Sequence, residues 1–386
     1  MPELAKFDSC TGCSACAMVC PKNCIQMQPD TEGFMHPVTD TESCIECGLC
    51  EKTCPVLHTS WRAEDHTQAY AAISSNESVR MQSTSGGVFS ILAEQIFQKE
   101  GTVFGAAYAD DFSVFHCEVS DAEHLQKLRT AKYAQSVLKD TFRQVQDRLH
   151  AGKYVLFSGT PCQISGLQAY LKKPYDNLIL VDVICHGVPS PKVWQHYIQY
   201  RNGQDAPESS IENINLRSKE TGWPGYSIRF EYKDGTVYSA LNSKDPFLRG
   251  FVGDFYLSPS CYECPFKGVS RSSDFTLADY WGIDGQHPEC NDGKGTSLVF
   301  VHSQKAKDIW KQIQTGLNCL EVEPEKAVEH NQSAVRSSNK PAKRAQFWNR
   351  YQQEDFTDLI SELLLPPPPP SLLHRALGKI KRTIMR

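Results

Sequence analysis

Cys10, Cys13, Cys16 and Cys20-Pro21 spell C-x2-C-x2-C-x3-C-P, and Cys44, Cys47, Cys50 and Cys54-Pro55 spell it again. Nothing else in the chain constrains its fold as tightly. Two-residue gaps wrap three sulfurs around one face, and the fourth thiolate comes from elsewhere. Paired C-x-x-C also makes structural zinc sites. Two complete copies, each closed by a proline, favour iron–sulfur ligation over zinc. The chain holds 16 cysteines in all, and in a cytosolic protein that many thiols more plausibly hold metal than form disulfides.

Where two such runs stand together, the fourth cysteine of each serves the other cluster. The spacing therefore assigns Cys10, Cys13, Cys16 and Cys54 to one 4Fe-4S cluster, and Cys44, Cys47, Cys50 and Cys20 to a second. Residues 5–58 resemble bacterial-type two-cluster ferredoxins. Cys24 follows too closely on the first run and reads as a small buried residue. Two adjacent clusters make a wire rather than a catalyst, so the remaining residues must use the electrons.

At 386 residues the chain has room for two or three domains. With 40% apolar and 22% charged residues it is globular. No stretch approaches the roughly 20 apolar residues a membrane span requires. The start Met1-Pro2-Glu3-Leu4 lacks a basic region and an apolar core, so no signal peptide is expected. A net charge of −5 argues against a dedicated nucleic-acid binder. The expected location is cytoplasmic.

Residues 59–68 are polar and read as a linker. Beyond them, Tyr70–Ile73 reads as a strand. Ser83-Thr84-Ser85-Gly86-Gly87 then leads into Val88–Phe97, where Val88, Leu92 and Ile96 fall four apart in an amphipathic helix. Backbone N–H groups at such a start suit an anion, although an ordinary helix cap is the plainer reading of these residues alone. Thr102–Tyr108 and Phe112–Val119 read as adjoining strands, and Ala122–Leu128 and Thr141–His150 as helices. Tyr154–Phe157 and Leu178–Ile184 are short apolar strands separated by a helical segment, Gln163–Leu171, which predicts a parallel pair in an α/β core. Cys117, Cys290 and Cys319 read as structural.

Cys162 follows the first of those paired strands and Cys185 the second, at the sheet edge where ligands of open α/β folds gather. Cys261 and Cys264 add another C-x-x-C pair. These four suit a third cubane cluster; a reactive thiol at Cys162 and a zinc knuckle remain open.

The stretch from Ser83 to about Val301 resembles the coenzyme F420 hydrogenase/dehydrogenase beta-subunit family. The resemblance is carried by Ser83-Thr84-Ser85-Gly86-Gly87, Lys132-Tyr133-Ala134-Gln135-Ser136, Gly159-Thr160-Pro161-Cys162-Gln163, Cys185-His186-Gly187-Val188-Pro189 and the Cys261–Trp281 block. It implies an iron–sulfur flavoprotein that binds FAD. A plant relative, a hydroxymethyl-chlorophyll reductase, takes electrons from ferredoxin, and bacterial members with this wording resemble products of polysaccharide gene clusters, so the family leaves the substrate open.

By position, Ser83, Thr84, Ser85, Gly86 and Gly87 would hold the flavin pyrophosphate or ribityl chain. Lys132 and Tyr133, with Gln135 and Ser136, would face the flavin. His186 would act either as proton donor to a reduced substrate or as a hydrogen-bond partner of cluster sulfur.

The implied fold is a small ferredoxin domain (1–60) followed by a mixed α/β flavin-binding core. That core has an N-terminal part (68–150) and a part carrying the third cysteine set (151–350), and a Pro-rich, basic tail (351–386) follows. The expected partner is a ferredoxin-like donor, a hydrogenase- or dehydrogenase-type subunit, or a small-molecule carrier. Delivery of electrons to a partner enzyme that holds the substrate is the alternative function. Beyond Pro366–Pro370 the tail carries five basic residues and no acidic one. Leu373, Leu377, Ile380 and Ile384 lie at helical spacing, which suits a loose contact with a membrane surface or a partner, while a frayed, solvated chain end is the plainer reading.

Overall fold

The computed structural model describes residues 2–58 and 67–365. Most of the linker, and the basic stretch from Pro366 onward, lie outside the described residues.

The N-terminal module is built on two short helices, Ala15–Val19 and Leu49–Lys52, and an antiparallel pair, β1 (Ile25–Pro29) and β2 (Met35–Thr39). Both helices start from a left-handed residue, Ser14 (φ 63°) and Gly48 (φ 68°). The chain thus reverses sharply inside each C-x-x-C run and turns its thiols inward. Glycine takes that conformation freely, whereas at Ser14 it is a strained choice that the surroundings must hold.

The chain then supplies β3 (Gln68–Ser74), β4 (Thr102–Tyr108), β5 (Val114–Val119), β6 (Val155–Gly159) and β7 (Leu178–Val183). A separate three-stranded antiparallel sheet follows, made of β8 (Ile211–Ser218), β9 (Ser227–Tyr232) and β10 (Val237–Leu241). β11 (Phe275–Asp279), β12 (Ser297–Val301) and β13 (Leu317–Val322) return to the main sheet. That sheet has eight strands in the order β13-β3-β12-β11-β7-β6-β4-β5. Its centre is parallel: β4 with β6, β6 with β7, and β7 with β11. Val155, Leu156 and Phe157 of β6 are all buried, because helices cover both faces and no position alternates to water. The architecture is mixed α/β behind a ferredoxin-like module, as expected.

The two segments on either side of residue 150 share this one sheet, since β3, β4 and β5 pair within it alongside β6, β7 and β11–β13. The core also runs past residue 350, where the sequence placed the start of the tail. Helix Phe356–Leu364 buries Phe356, Leu359, Ile360 and Leu363 against the Pro246–Val252 helix and the β8–β10 sheet.

The ferredoxin module is fastened to the core. Cys13, Ala15 and Met18 share an apolar cluster with Phe104, Phe142 and Phe157. Arg143 donates to Met18 O (2.9 Å) and to Asn23 Oδ1 (2.9 Å). Met35 N donates to Gln135 Oε1 (2.8 Å), and Arg344 forms a two-pronged pair with Glu32.

Candidate redox site

The first four cysteines assigned to one cluster come together. Cys10, Cys13, Cys16 and Cys54 lie close enough for their charges to act on one another. Burial, followed by the charges of Cys10 and Cys54, pushes the Cys16 thiol up to about 12. Thiols gathered in a dry pocket need a shared cation before they can ionise together, and the iron of an iron–sulfur core would supply it.

In the second set, Cys20 and Cys50 are buried in one apolar cluster with Cys44 packed against it, and Cys47 acts on Cys50 from the exposed side. Cys24 shares this cluster as the buried residue the sequence implies, but it also has a partner: its Sγ lies 3.3 Å from that of Cys20.

The third set converges from three places in the chain. β6 and β7 run parallel, so their carboxyl ends lie at the same sheet edge. Cys162 stands just past the end of β6, in the first turn of helix Pro161–Leu171, where Gln163 Oε1 accepts from Thr160 N (2.9 Å) and fixes the entry. Cys185 stands just past the end of β7. A short 3-10 helix, Pro259–Glu263, brings up Cys261 and Cys264. Val188 N donates to Cys261 Sγ (3.3 Å). Gly187 allows this approach, since a Cβ there would sit 2.7 Å from Leu257 Cδ1.

Lys267 holds the strap by donating to Cys185 O and to Ser333 O (3.0 Å). Burial raises the Cys185 thiol to about 11 against the opposing pull of Lys267, and Cys264 adds to the rise. All four thiols line one cavity with Thr11 and Gln135. Among the described residues, no group of three or more His, Cys, Asp or Glu closes around a point as the ligands of a single ion do.

The first and third sets are neighbours. Cys13 acts electrostatically on Cys162. One turn along the same helix, a Cβ on Gly166 would stand 3.0 Å from Cys13 Cβ and 3.1 Å from Cys13 Sγ. A second cavity is lined by Pro55, Pro161 and Pro265, which flank Cys54, Cys162 and Cys264.

The residues expected at the flavin fall in different surroundings. Ser83 Oγ donates to Val79 O (2.7 Å) and Ser85 Oγ to Thr296 O (2.8 Å). Gly86 N donates to Ser297 Oγ (2.9 Å). Thr84 lies half-buried between them. A Cβ on Gly86 would meet Ala72 O at 2.2 Å, so this glycine is required by the packing of the turn on β3 and β12. Gly87 (φ 92°) starts helix Val88–Phe97 with no side chain capping it.

Lys132 Nζ donates to Arg129 O (2.6 Å) and lies over the Tyr108 ring, and burial lowers it to about 7. Tyr133 packs on Phe251 and accepts from Arg217. Gln135 and Ser136 are occupied elsewhere: Gln135 ties down the ferredoxin module, and Ser136 Oγ pairs with His116 Nδ1 (2.7 Å). His186 Nε2 meets Asp254 Oδ1 at 2.6 Å and Nδ1 meets Ser333 Oγ at 3.3 Å, so both ring nitrogens face oxygen rather than sulfur.

Several polar side chains that no sequence pattern singled out gather near Tyr133. Arg217 pairs with Asp279 (2.6 Å) and stacks over the Tyr226 ring (3.8 Å). Lys219 Nζ donates to Ser85 O (2.7 Å) and Arg80 O (2.8 Å), and burial lowers it to about 8. Trp223 stacks on Trp281 with ring centres 4.8 Å apart. Arg217 Nε, Asp279 Oδ1 and Trp223 Nε1 are buried without hydrogen-bond partners among the described residues.

Residues 152–327 match the family described as the C terminus of the coenzyme F420 hydrogenase/dehydrogenase beta subunit, and residues 9–57 match the 4Fe-4S dicluster domain. By these matches the chain is related to that beta subunit, with a dicluster module in front. No curated protein matches. Among solved structures, a chain of the F420-reducing NiFe hydrogenase complex from Methanosarcina barkeri, derivatized with xenon, is similar at 14% identity. The match covers 72% of this chain and 97% of that one, with a TM-score of 0.44. The beta-subunit match spans β6 to the start of the segment after β13, and so includes Cys162, Cys185, Cys261 and Cys264. The protein is an iron–sulfur electron-transfer protein related to the F420 hydrogenase beta subunit. Among the described residues, no helix is long and apolar enough to cross a membrane.

Proposed function

We propose that the chain is an iron–sulfur flavoprotein oxidoreductase that takes electrons from a redox partner and reduces or oxidises a small molecule. The observation that carries this reading is the contact between Cys13 and the helix bearing Cys162, which sets the ferredoxin module against a third group of four thiols. When bound, the clusters supply single-electron transfer, and a flavin converts it to two-electron chemistry.

Cys10, Cys13, Cys16 and Cys54 would hold one cluster, Cys20, Cys44, Cys47 and Cys50 a second, and Cys162, Cys185, Cys261 and Cys264 a third. The Val188 N–H on Cys261 sulfur would raise the potential of the third set. The flavin fits the chain at Gly87, whose uncapped helix start suits a phosphate. It also fits the buried donors Arg217 Nε and Trp223 Nε1 and the acceptor Asp279 Oδ1, which suit the polar edge of a flat heterocycle. His186, held by Asp254, would keep or release a proton beside Cys185.

One observation favours the alternative, an electron-transfer subunit serving a partner enzyme. The ferredoxin module leaves Cys47 exposed, together with Phe7, Val38, Ile45 and Leu57. Anaerobic purification with iron, sulfide and flavin analysis tests the first reading. A bound flavin reoxidised by a small molecule with no partner present supports an enzyme, and one reoxidised only by a partner protein supports a subunit.

A further inference from the structure

Lys267 follows Cys264 by three residues, on a strap that is tied down at both ends. Cys264 N donates to Ser337 Oγ (2.9 Å) and Gly268 N donates to Ala334 O (2.8 Å). Held in this way, the half-buried Lys267 donates through Nζ to Cys185 O (2.5 Å) and to Ser333 O (3.0 Å). Carbonyls fix an ammonium in place without cancelling its charge. Two cations line the cavity of the third cysteine set, Lys267 and Arg271, and they are not equivalent. Arg271 is spent on Asp182 (3.3 Å), in a pair whose side chains are 5% and 2% exposed. Lys267 makes no ion pair among the described residues, while Asp254 is engaged by His186 (2.6 Å). Both cations also line the second cavity, whose prolines flank Cys54, Cys162 and Cys264. Lys267 therefore borders the third set on one side and the approach from Cys54 of the first set on the other. Burial weighs most on the Cys185 thiol, and the strongest pull against it comes from Lys267, ahead of Arg271.

We propose that Lys267 sets the direction of electron flow: its uncancelled charge holds the third cluster's potential above the first cluster's, so that an electron arriving at the first set settles on the third. A cubane with four thiolates carries net negative charge, and reduction adds to it. A fixed cation in a half-buried site favours the reduced form. The step moves one electron and nothing else. The first set is oxidised by one electron, the third is reduced by one, no bond is made or broken, and no proton moves. Lys267 acts through the field it places on the cluster, so it is a positioning residue rather than a catalytic one. The inference rests on the reading of Cys162, Cys185, Cys261 and Cys264 as a cubane set.

The full-length chain, purified without oxygen, is titrated potentiometrically and followed by electron paramagnetic resonance, with iron counted in every sample. The third-cluster signal is the one absent from the Cys261→Ser and Cys264→Ser variant. Lys267→Gln keeps a hydrogen-bond donor and removes the charge. In it, the reduced-to-oxidised ratio of that cluster at a fixed potential is expected to fall about tenfold, a downward midpoint shift of about 59 mV for one electron. Lys267→Arg is expected to keep the wild-type midpoint. An unchanged midpoint in Lys267→Gln protein that holds about 12 iron atoms overturns the role of Lys267. An equal fall in Lys267→Arg also overturns it, since the side chain would then be a structural tie and not a charge. About 8 iron atoms in the wild type overturns the ligand set itself. If Lys267→Gln loses iron, Ser333→Asp carries the test, because it leaves Lys267 in place and sets a carboxylate beside its ammonium. The same midpoint is expected to fall, and an unchanged one overturns the inference.

Discussion

Single residues set the conditions that the redox site imposes on the rest of the fold. Gly166 is one of them: its missing side chain is the space in which Cys13 sits. Gly166→Val should displace Cys13, lower the iron content by about four atoms and cost about 1–3 kcal/mol of overpacking. Iron analysis and urea unfolding check it. Lys132 gives a pH-dependent prediction. Burial lowers its ammonium to about 7 beside the Tyr108 ring, whereas an unfolded lysine titrates near about 10.4. Between those values the unfolded chain binds more protons, so this residue's contribution to stability rises with pH and is worst below about 7. Lys132→Met should therefore flatten the stability profile between about pH 6.5 and about pH 9. Parallel profiles of variant and wild type, measured by urea unfolding, would contradict it.

The residue scale is also where the sequence was most and least informative. The eight motif cysteines, Cys162 and Cys185 declare themselves through fixed spacing or a strand end. Gln135 does not: its partner, Met35, lies 100 positions away, and a polar residue in a loop carries no trace of so distant a contact. Arg217, Lys219 and Trp223 were missed for the same reason. Gly86 has a second reason to lack a side chain that its motif does not reveal, the close approach of the turn to β3 and β12.

At the scale of elements, periodicity served well wherever one face was buried. Helices Val88–Phe97 and Thr141–His150 and the parallel pairing of β6 with β7 match the sequence reading. The β8–β10 sheet went unread, although Ile228, Phe230 and Tyr232 alternate with Arg229 and Glu231 along β9; part of its cover comes from helices far along the chain. One of those, Phe356–Leu364, followed so closely by a run of prolines, read as tail. A chain ending at Glu354 should lose at least about 6 kcal/mol, since four large apolar side chains each contribute about 1.5–3 kcal/mol when buried. A chain ending at Leu365 keeps those contacts and should unfold with the wild type, as urea titration will check. The joint between ferredoxin module and core rests partly on Arg344 and Glu32, whose side chains are 11% and 19% exposed. Arg344→Met should cost about 2 kcal/mol, below the range for a fully buried pair because water reaches this one. A double-mutant cycle with Glu32→Gln measures the share that belongs to the pair.

Across the whole molecule, the parallel strands, the Pro259–Glu263 turn and the docked ferredoxin module all deliver thiols to one side of the β6–β7 edge. The third set joins residues from position 162 to position 264, and it stands against the first set through a single helix. The central claim is that three cubane clusters and a flavin occupy one chain. Iron, sulfide and flavin analysis of anaerobically purified protein, compared with a Cys261→Ser and Cys264→Ser variant, tests it most directly. About 12 iron atoms and one flavin are expected in the wild type, falling to about 8 iron atoms in the variant. Eight in both, or a wild type without flavin, would contradict it.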